Sequence, residues 1–124
     1  MAGTIVSDVL QDGAGNSTSS TQCIKGSARA WVNFVGQTGV VNTAYNVSSI
    51  TRNGTGDYTA NFTTTMPNAN YVVAGSAVGS SNTSYLGNIA SQGTATSTSS
   101  CRFVFQYAAT TYDQNPIGVV FFGY

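Results

Sequence analysis

An all-β fold, a compact antiparallel β-sandwich or barrel-like domain, is the architecture this sequence predicts. Three observations predict it. Apolar residues recur with a period of two in one segment after another. Turn residues separate those segments at short, regular spacing. No segment carries a convincing helical period. The length, 124 residues, suits one domain with one modest core.

Residues 1–22 differ from the rest of the chain. Ile5, Val6, Val9 and Leu10 form a small apolar cluster, and the polar stretch Gln11–Ser20 follows it. This reads as an arm or adaptor with a linker, ahead of a β domain over 23–124. The alternative is an edge strand and loop of the main domain.

From residue 27 the alternation is plain. Ala28, Ala30, Val32 and Phe34 share one face, with Arg29, Trp31 and Asn33 on the other. A second strand begins at Tyr45 and Val47 and ends near Thr51. Asn53-Gly54-Thr55-Gly56 offers residues that tolerate positive φ and closes a hairpin. Tyr58, Ala60, Phe62 and Thr64 alternate on the return strand, which Met66-Pro67-Asn68-Ala69-Asn70 breaks.

Further strands are expected at 71–78, 84–91, 101–107 and 117–123, with a Thr/Ser loop at 93–100. Cys101, Phe103, Phe105 and Tyr107 are expected on one face. The strands at 71–78, 101–107 and 117–124 carry apolar residues on both faces. A two-sided apolar strand needs cover on both sides, and in a domain this small another copy of the chain can supply it. The apolar ending Val119–Tyr124 reads as the last strand of a complete chain, paired in a sheet or an interface.

Charge is scarce: four Lys and Arg, four Asp, no Glu and no His, for a formal net charge of zero. Nucleic-acid binding needs clustered cations that displace counterions, and this chain has no such cluster. An anionic membrane surface is disfavoured for the same reason, and no apolar run approaches spanning length. The abundance of Ser, Thr, Asn and Gly with seven Tyr and six Phe makes a surface that is polar without being charged. A disordered chain lacks this density of aromatic and β-branched residues. Residues 1–10 lack the pattern of a signal peptide, so synthesis in a cytosol without export is expected. The two cysteines, Cys23 and Cys101, then read as buried free thiols, with one disulfide as the alternative.

Catalysis finds little to work with. Without His there is no serine triad, no Cys-His pair and no His-ligated zinc. Paired-carboxylate hydrolysis would have to use two of Asp8, Asp12, Asp57 and Asp113, and no spacing brings two together. Asp57 follows a hairpin turn, where Asp commonly bonds nearby backbone. Asp12-Gly13-Ala14-Gly15-Asn16 has too few carboxylates for a calcium loop. No enzyme activity, cofactor or metal is expected. Aromatic faces beside Asn and Thr can bind sugar rings, and Tyr85, Tyr107 and Tyr112 border polar loops. Trp31 sits mid-strand, a position more typical of an interface or core.

The stretches "GSARAWVNF" at 26–34 and "YNVSSITRNGTGDYTANFTTTMPNANYVV" at 45–73 carry a resemblance. They resemble a module seen in bacteriophage tail-fibre and related virion proteins, particularly those of cyanophages and other aquatic phages. The likeness spans residues 26–77 and departs from the family pattern at Val35–Gly39. It implies a virion protein made in the host cytoplasm, assembled as a homotrimer and free of catalytic residues. On that reading Asn53–Phe62 is scaffold, and Trp31, Phe122 and Tyr124 belong to the trimer interface. Ile5, Val6, Val9 and Leu10 anchor the arm to a neighbouring tail or capsid protein. Loops 79–84, 93–100 and 108–115 are exposed, and Tyr85, Tyr107 and Tyr112 are placed to touch a host-surface glycan. The alternative role is a head decoration or cement protein, since 22 residues before the module leave no room for a shaft.

Overall fold

The structure, a computed structural model, describes residues 3–77, 88–107 and 109–124. Its strands are β1 (Val9–Gln11), β2 (Ser17–Ser19), β3 (Ala30–Phe34), β4 (Val41–Tyr45), β5 (Val47–Gly54) and β6 (Asp57–Phe62), then β7 (Val72–Ala77), β8 (Asn88–Thr96), β9 (Ser100–Tyr107), β10 (Thr110–Thr111) and β11 (Ile117–Phe122). One helix, α1, spans Ser20–Gly26. All-β is the fold, and every described pairing is antiparallel.

Two sheets face each other across one core. The first has the order β4-β3-β11-β7. In the second, β9 pairs with β6, β8 and β10, and β5 lies beyond β6. The last long strand, β11, returns between β3 and β7, so residues far apart in sequence become neighbours. β1 and β2 pair only with each other, as a separate hairpin.

The period-two expectation holds where the core is built. Ala30, Val32 and Phe34 of β3 and Ile117, Val119 and Phe121 of β11 face Tyr58 and Ala60 of β6 and Cys101, Phe103 and Phe105 of β9, all nearly or fully buried. Phe34 meets Tyr58 edge-on at 4.9 Å between ring centres, and Phe62 meets Phe121 at 5.1 Å. These edge-to-face pairs lock the two sheets together at specific places. Truncating one such ring to Ala would cost about 3–5 kcal/mol.

Four local expectations need correction. The helix α1 was not expected. Seven residues are too few to display a period, but Ser19 and Gln22 form a capping box, the Ser19 hydroxyl accepting from the Gln22 amide. The single strand expected from Tyr45 is two: Asn46 takes φ +54°, ending β4 and sending β5 into the other sheet. The loop expected at 93–100 begins later, because β8 runs to Thr96. Of the strand expected at 84–91 and the loop at 79–84, residues 79–87 lie outside the described residues. Finally, Tyr107 does not join Phe105 in the core: β9 outlasts the sandwich there and the ring is exposed.

Candidate functional site

The chemistry-bearing side chains mostly serve the fold. Asp113 lies in the loop expected to be exposed at 108–115, but it is drawn inward. Its carboxylate accepts from Tyr58 Oη at 2.6 Å and from the Gly56 amide at 2.9 Å, and it pairs with Arg52. Burial alone would raise this carboxyl; Arg52, the Gly56 amide and the Tyr58 hydroxyl outweigh it and hold it below the usual range. Asp57 was expected to bond local backbone. It takes a side-chain partner on the neighbouring strand instead, Arg102, whose Nε donates at 3.0 Å, with Asn53 Nδ2 as a further donor at 3.3 Å. Asp12 accepts from the Ala14 and Asn16 amides and from Asn16 Nδ2, each at 2.9 Å, and so closes the β1–β2 turn. Cys23 and Cys101 are free thiols; Cys101 is fully buried and Cys23 half-exposed.

What remains unpartnered is surface. β3 and β11 alternate in burial, and the pairing registers set their outward residues in cross-strand rows with β4 and β7. Tyr45, Trp31, Val120 and Ala74 are directly opposite one another across all four strands. Phe122 lies opposite Val72 in the next row. Val72 is 64 %, Phe122 37 % and Trp31 36 % exposed, so this outer face is apolar and open to solvent. Gly118, flanked by Asn33 and Ser76, leaves a shallow notch of about 390 Å³ beside the Trp31 ring. No charged side chain lines that notch.

A second apolar surface lies at the N-terminal end. Ile5 and Val6 are 90 % and 92 % exposed, and Val9, Leu10 and Ile24 are exposed with them. α1 buries no residue at all. Tyr124 is exposed, its ring centre 5.2 Å from Lys25 Nζ and 5.1 Å from Arg29 Cζ. Tyr107 sits at the far end of β9, and Tyr112 is half-buried against the core, its amide bonded to Phe105 O at 3.2 Å. Tyr85 lies outside the described residues.

A cleft lies between these surfaces. It holds about 600 Å³ between Ile24, Ser27 and Arg29 on one side and Tyr45, Asn46 and Thr63–Pro67 on the other. Asn46 braces both walls: its Nδ2 donates to Arg29 O at 3.3 Å and Thr64 O at 3.1 Å, and its Oδ1 accepts from Thr64 N at 2.7 Å. The sequence marked Asn46 only as part of a strand, and its positive φ is what permits this clasp. No metal-ligating group of three or more His, Cys, Asp or Glu occurs among the described residues, and none of the described helices is long and apolar enough to cross a membrane.

No family model, no curated protein and no solved structure matches the chain.

Proposed function

We propose that this chain is a phage virion structural protein of the tail-fibre kind, assembled as a homotrimer and used in host-surface attachment. The observation that carries the reading is the pairing of the residue pattern at 26–34 and 45–73 with a sparsely charged β body that leaves apolar residues of one sheet face open. Trp31 and Phe122 form the centre of the subunit interface and Tyr124 its rim. Burying such a face between copies removes apolar area from water, and no charged side chain lines the notch beside Trp31. Ile5, Val6, Val9 and Leu10 dock the β1–β2 hairpin on a neighbouring tail or capsid protein. Tyr85, Tyr107 and Tyr112 are the candidate host-glycan contacts. The side chains that could do chemistry, Asp57 and Asp113, are occupied by Arg102 and Arg52, which supports a structural role.

Light scattering of the purified chain gives the assembly state, and a stable monomer at micromolar concentration overturns the interface. Immunogold labelling of virions that carry the chain then gives its position. Label on the tail supports the fibre role. Label over the head assigns it as a decoration protein instead.

A further inference from the structure

The chain has only four cationic side chains, and they divide into two classes. Arg52 is paired with Asp113 and Arg102 with Asp57. Lys25 and Arg29 form no ion pair among the described residues. Both converge on the Tyr124 ring, and Arg29 also lines the cleft. Among the described residues the Arg29 guanidinium makes one hydrogen bond, from Nε to Gly123 O at 3.3 Å. In a protein with so little charge, a guanidinium outside any ion pair among the described residues, on a residue that lines a braced cleft, marks a place for an anion.

The remaining walls narrow the ligand. Tyr45 is 59 % exposed and offers a ring face. Thr63, Thr64 and Thr65 line the opposite side in succession, with hydroxyls uncommitted among the described residues. Pro67 adds apolar surface. A stacking face, a row of hydroxyls and a guanidinium together suit a pyranose ring bearing a carboxylate. A volume of about 600 Å³ lies within the ~300–1,000 Å³ usual for ligand clefts. The Asn46 clasp holds both walls before binding, which lowers the ordering cost.

We propose that the cleft between Arg29, Tyr45 and Thr63–Thr65 binds an acidic sugar, a pyranose carrying a carboxylate, as found in uronate- or nonulosonate-containing surface polysaccharides. The carboxylate sits on the Arg29 guanidinium with Lys25 nearby, the sugar ring lies on Tyr45, and the threonine hydroxyls meet the ring hydroxyls. This site is separate from Tyr107 and Tyr112, and it does not depend on where the protein sits in a virion.

The test is an NMR titration of the full chain with sodium glucuronate, N-acetylneuraminate, glucose and inorganic phosphate in turn. Saturable shifts at Ile24, Arg29, Tyr45 and Thr63–Thr65 are expected with the two acidic sugars, weakening as salt rises. Arg29→Gln should weaken binding about tenfold or more, while Arg29→Lys retains part of it. Tyr45→Ala, on an exposed ring, keeps the fold and should weaken sugar binding independently. Equal shifts with glucose would overturn the role of the charge. Equal shifts with phosphate would make the site a general anion site and overturn the sugar. No saturable shift with either acidic sugar, or shifts elsewhere on the surface, would overturn the site itself. Tyr45 shares a cross-strand row with Trp31, so light scattering of each variant reads assembly apart from binding, and the two readings fail separately.

Discussion

Tyr58 donates its hydroxyl hydrogen to Asp113 Oδ1 at 2.6 Å, across 55 residues of sequence. The Tyr58 ring is fully buried against Phe34 and Phe103, and its oxygen reaches the end of the sandwich where the 109–116 loop crosses over. Asp113 ties that loop to the β5–β6 hairpin through Arg52 and the Gly56 amide as well. Asp113→Ala leaves a buried phenol without an acceptor, and the expected loss is about 2–3 kcal/mol in chemical denaturation. Tyr58→Phe removes the donor instead and should cost nearer 1 kcal/mol. Because the two share one bond, the double variant should lose less than the two single losses together. Strict additivity would mean that the bond contributes nothing.

The hairpin gives a sharper contrast between two glycines. Gly56 has φ +66°, and a Cβ there would lie 2.6 Å from Tyr112 N and 2.8 Å from Phe105 O. Both neighbours are backbone and cannot swing aside. Gly54, two residues earlier, has nothing within 4 Å. Gly56→Ala should therefore cost more than about 2 kcal/mol, while Gly54→Ala should change stability by less than about 0.5 kcal/mol. Thermal melts of the two variants side by side check this, and a similar drop in both would reject the packing of the loop on the hairpin.

The titratable groups predict an unusually flat response to pH. Asp57 is held below the ordinary carboxylate range, chiefly by Arg102, and Asp113 is held low by partners that outweigh its burial. A depressed carboxyl adds stability above its unfolded pKa of about 3.9, and that stability is lost as pH falls toward the folded value. Burial pushes Tyr58, Tyr71 and Cys101 up. A raised phenol or thiol adds stability below its unfolded pKa, about 10 or 8.5, and loses it as pH rises through that value. With no His, no side chain has its ordinary titration range between the carboxylates and the thiols. The urea midpoint should be constant from about pH 5 to about pH 8 and fall on either side. A slope within that window would contradict these assignments.

The two thiols should separate cleanly. Cys101 is fully buried under the aromatic core, while Cys23 is half-exposed on a helix that buries nothing. A thiol reagent should label Cys23 in the native chain and reach Cys101 only after unfolding. Equal rates at both would mean that β9 opens readily.

The strands that build the core were legible because each carries its own evidence. Ala30-Val32-Phe34 and Tyr58-Ala60-Phe62 alternate within five residues of chain, and burial follows the alternation. The edge strand β4 was not legible, since Asn42, Thr43 and Tyr45 are exposed and leave only Val41 and Ala44 half-buried as signal. The turn at Asn46 was hidden for a different reason. Asn is the non-glycine residue that most readily takes positive φ, but whether it does so depends on Arg29 O and Thr64, which only the fold brings near. The Asp113 hub and the cleft at Arg29 likewise join segments tens of residues apart. The outward apolar residues of β7 and β11 were legible as two-sided strands, though their alignment with Trp31 and Tyr45 depended on β11 returning between β3 and β7.

That alignment leads to the prediction with the greatest consequence for assembly. Trp31 and Phe122 project from the outer face, and neither belongs to the buried core. Replacing both by Ser should therefore leave the fold intact: the far-UV circular dichroism should be unchanged, and the melting temperature of the separated chains should move little. Assembly should respond strongly. Large aromatic anchors at the centre of an interface commonly carry about 2 kcal/mol or more each, so the double variant should weaken association at least a hundredfold. Light scattering across a dilution series reads this directly. A variant that assembles as tightly as the parent would overturn the outer face as the proposed interface and turn the test to the exposed Ile5, Val6, Val9 and Leu10 of the N-terminal segment.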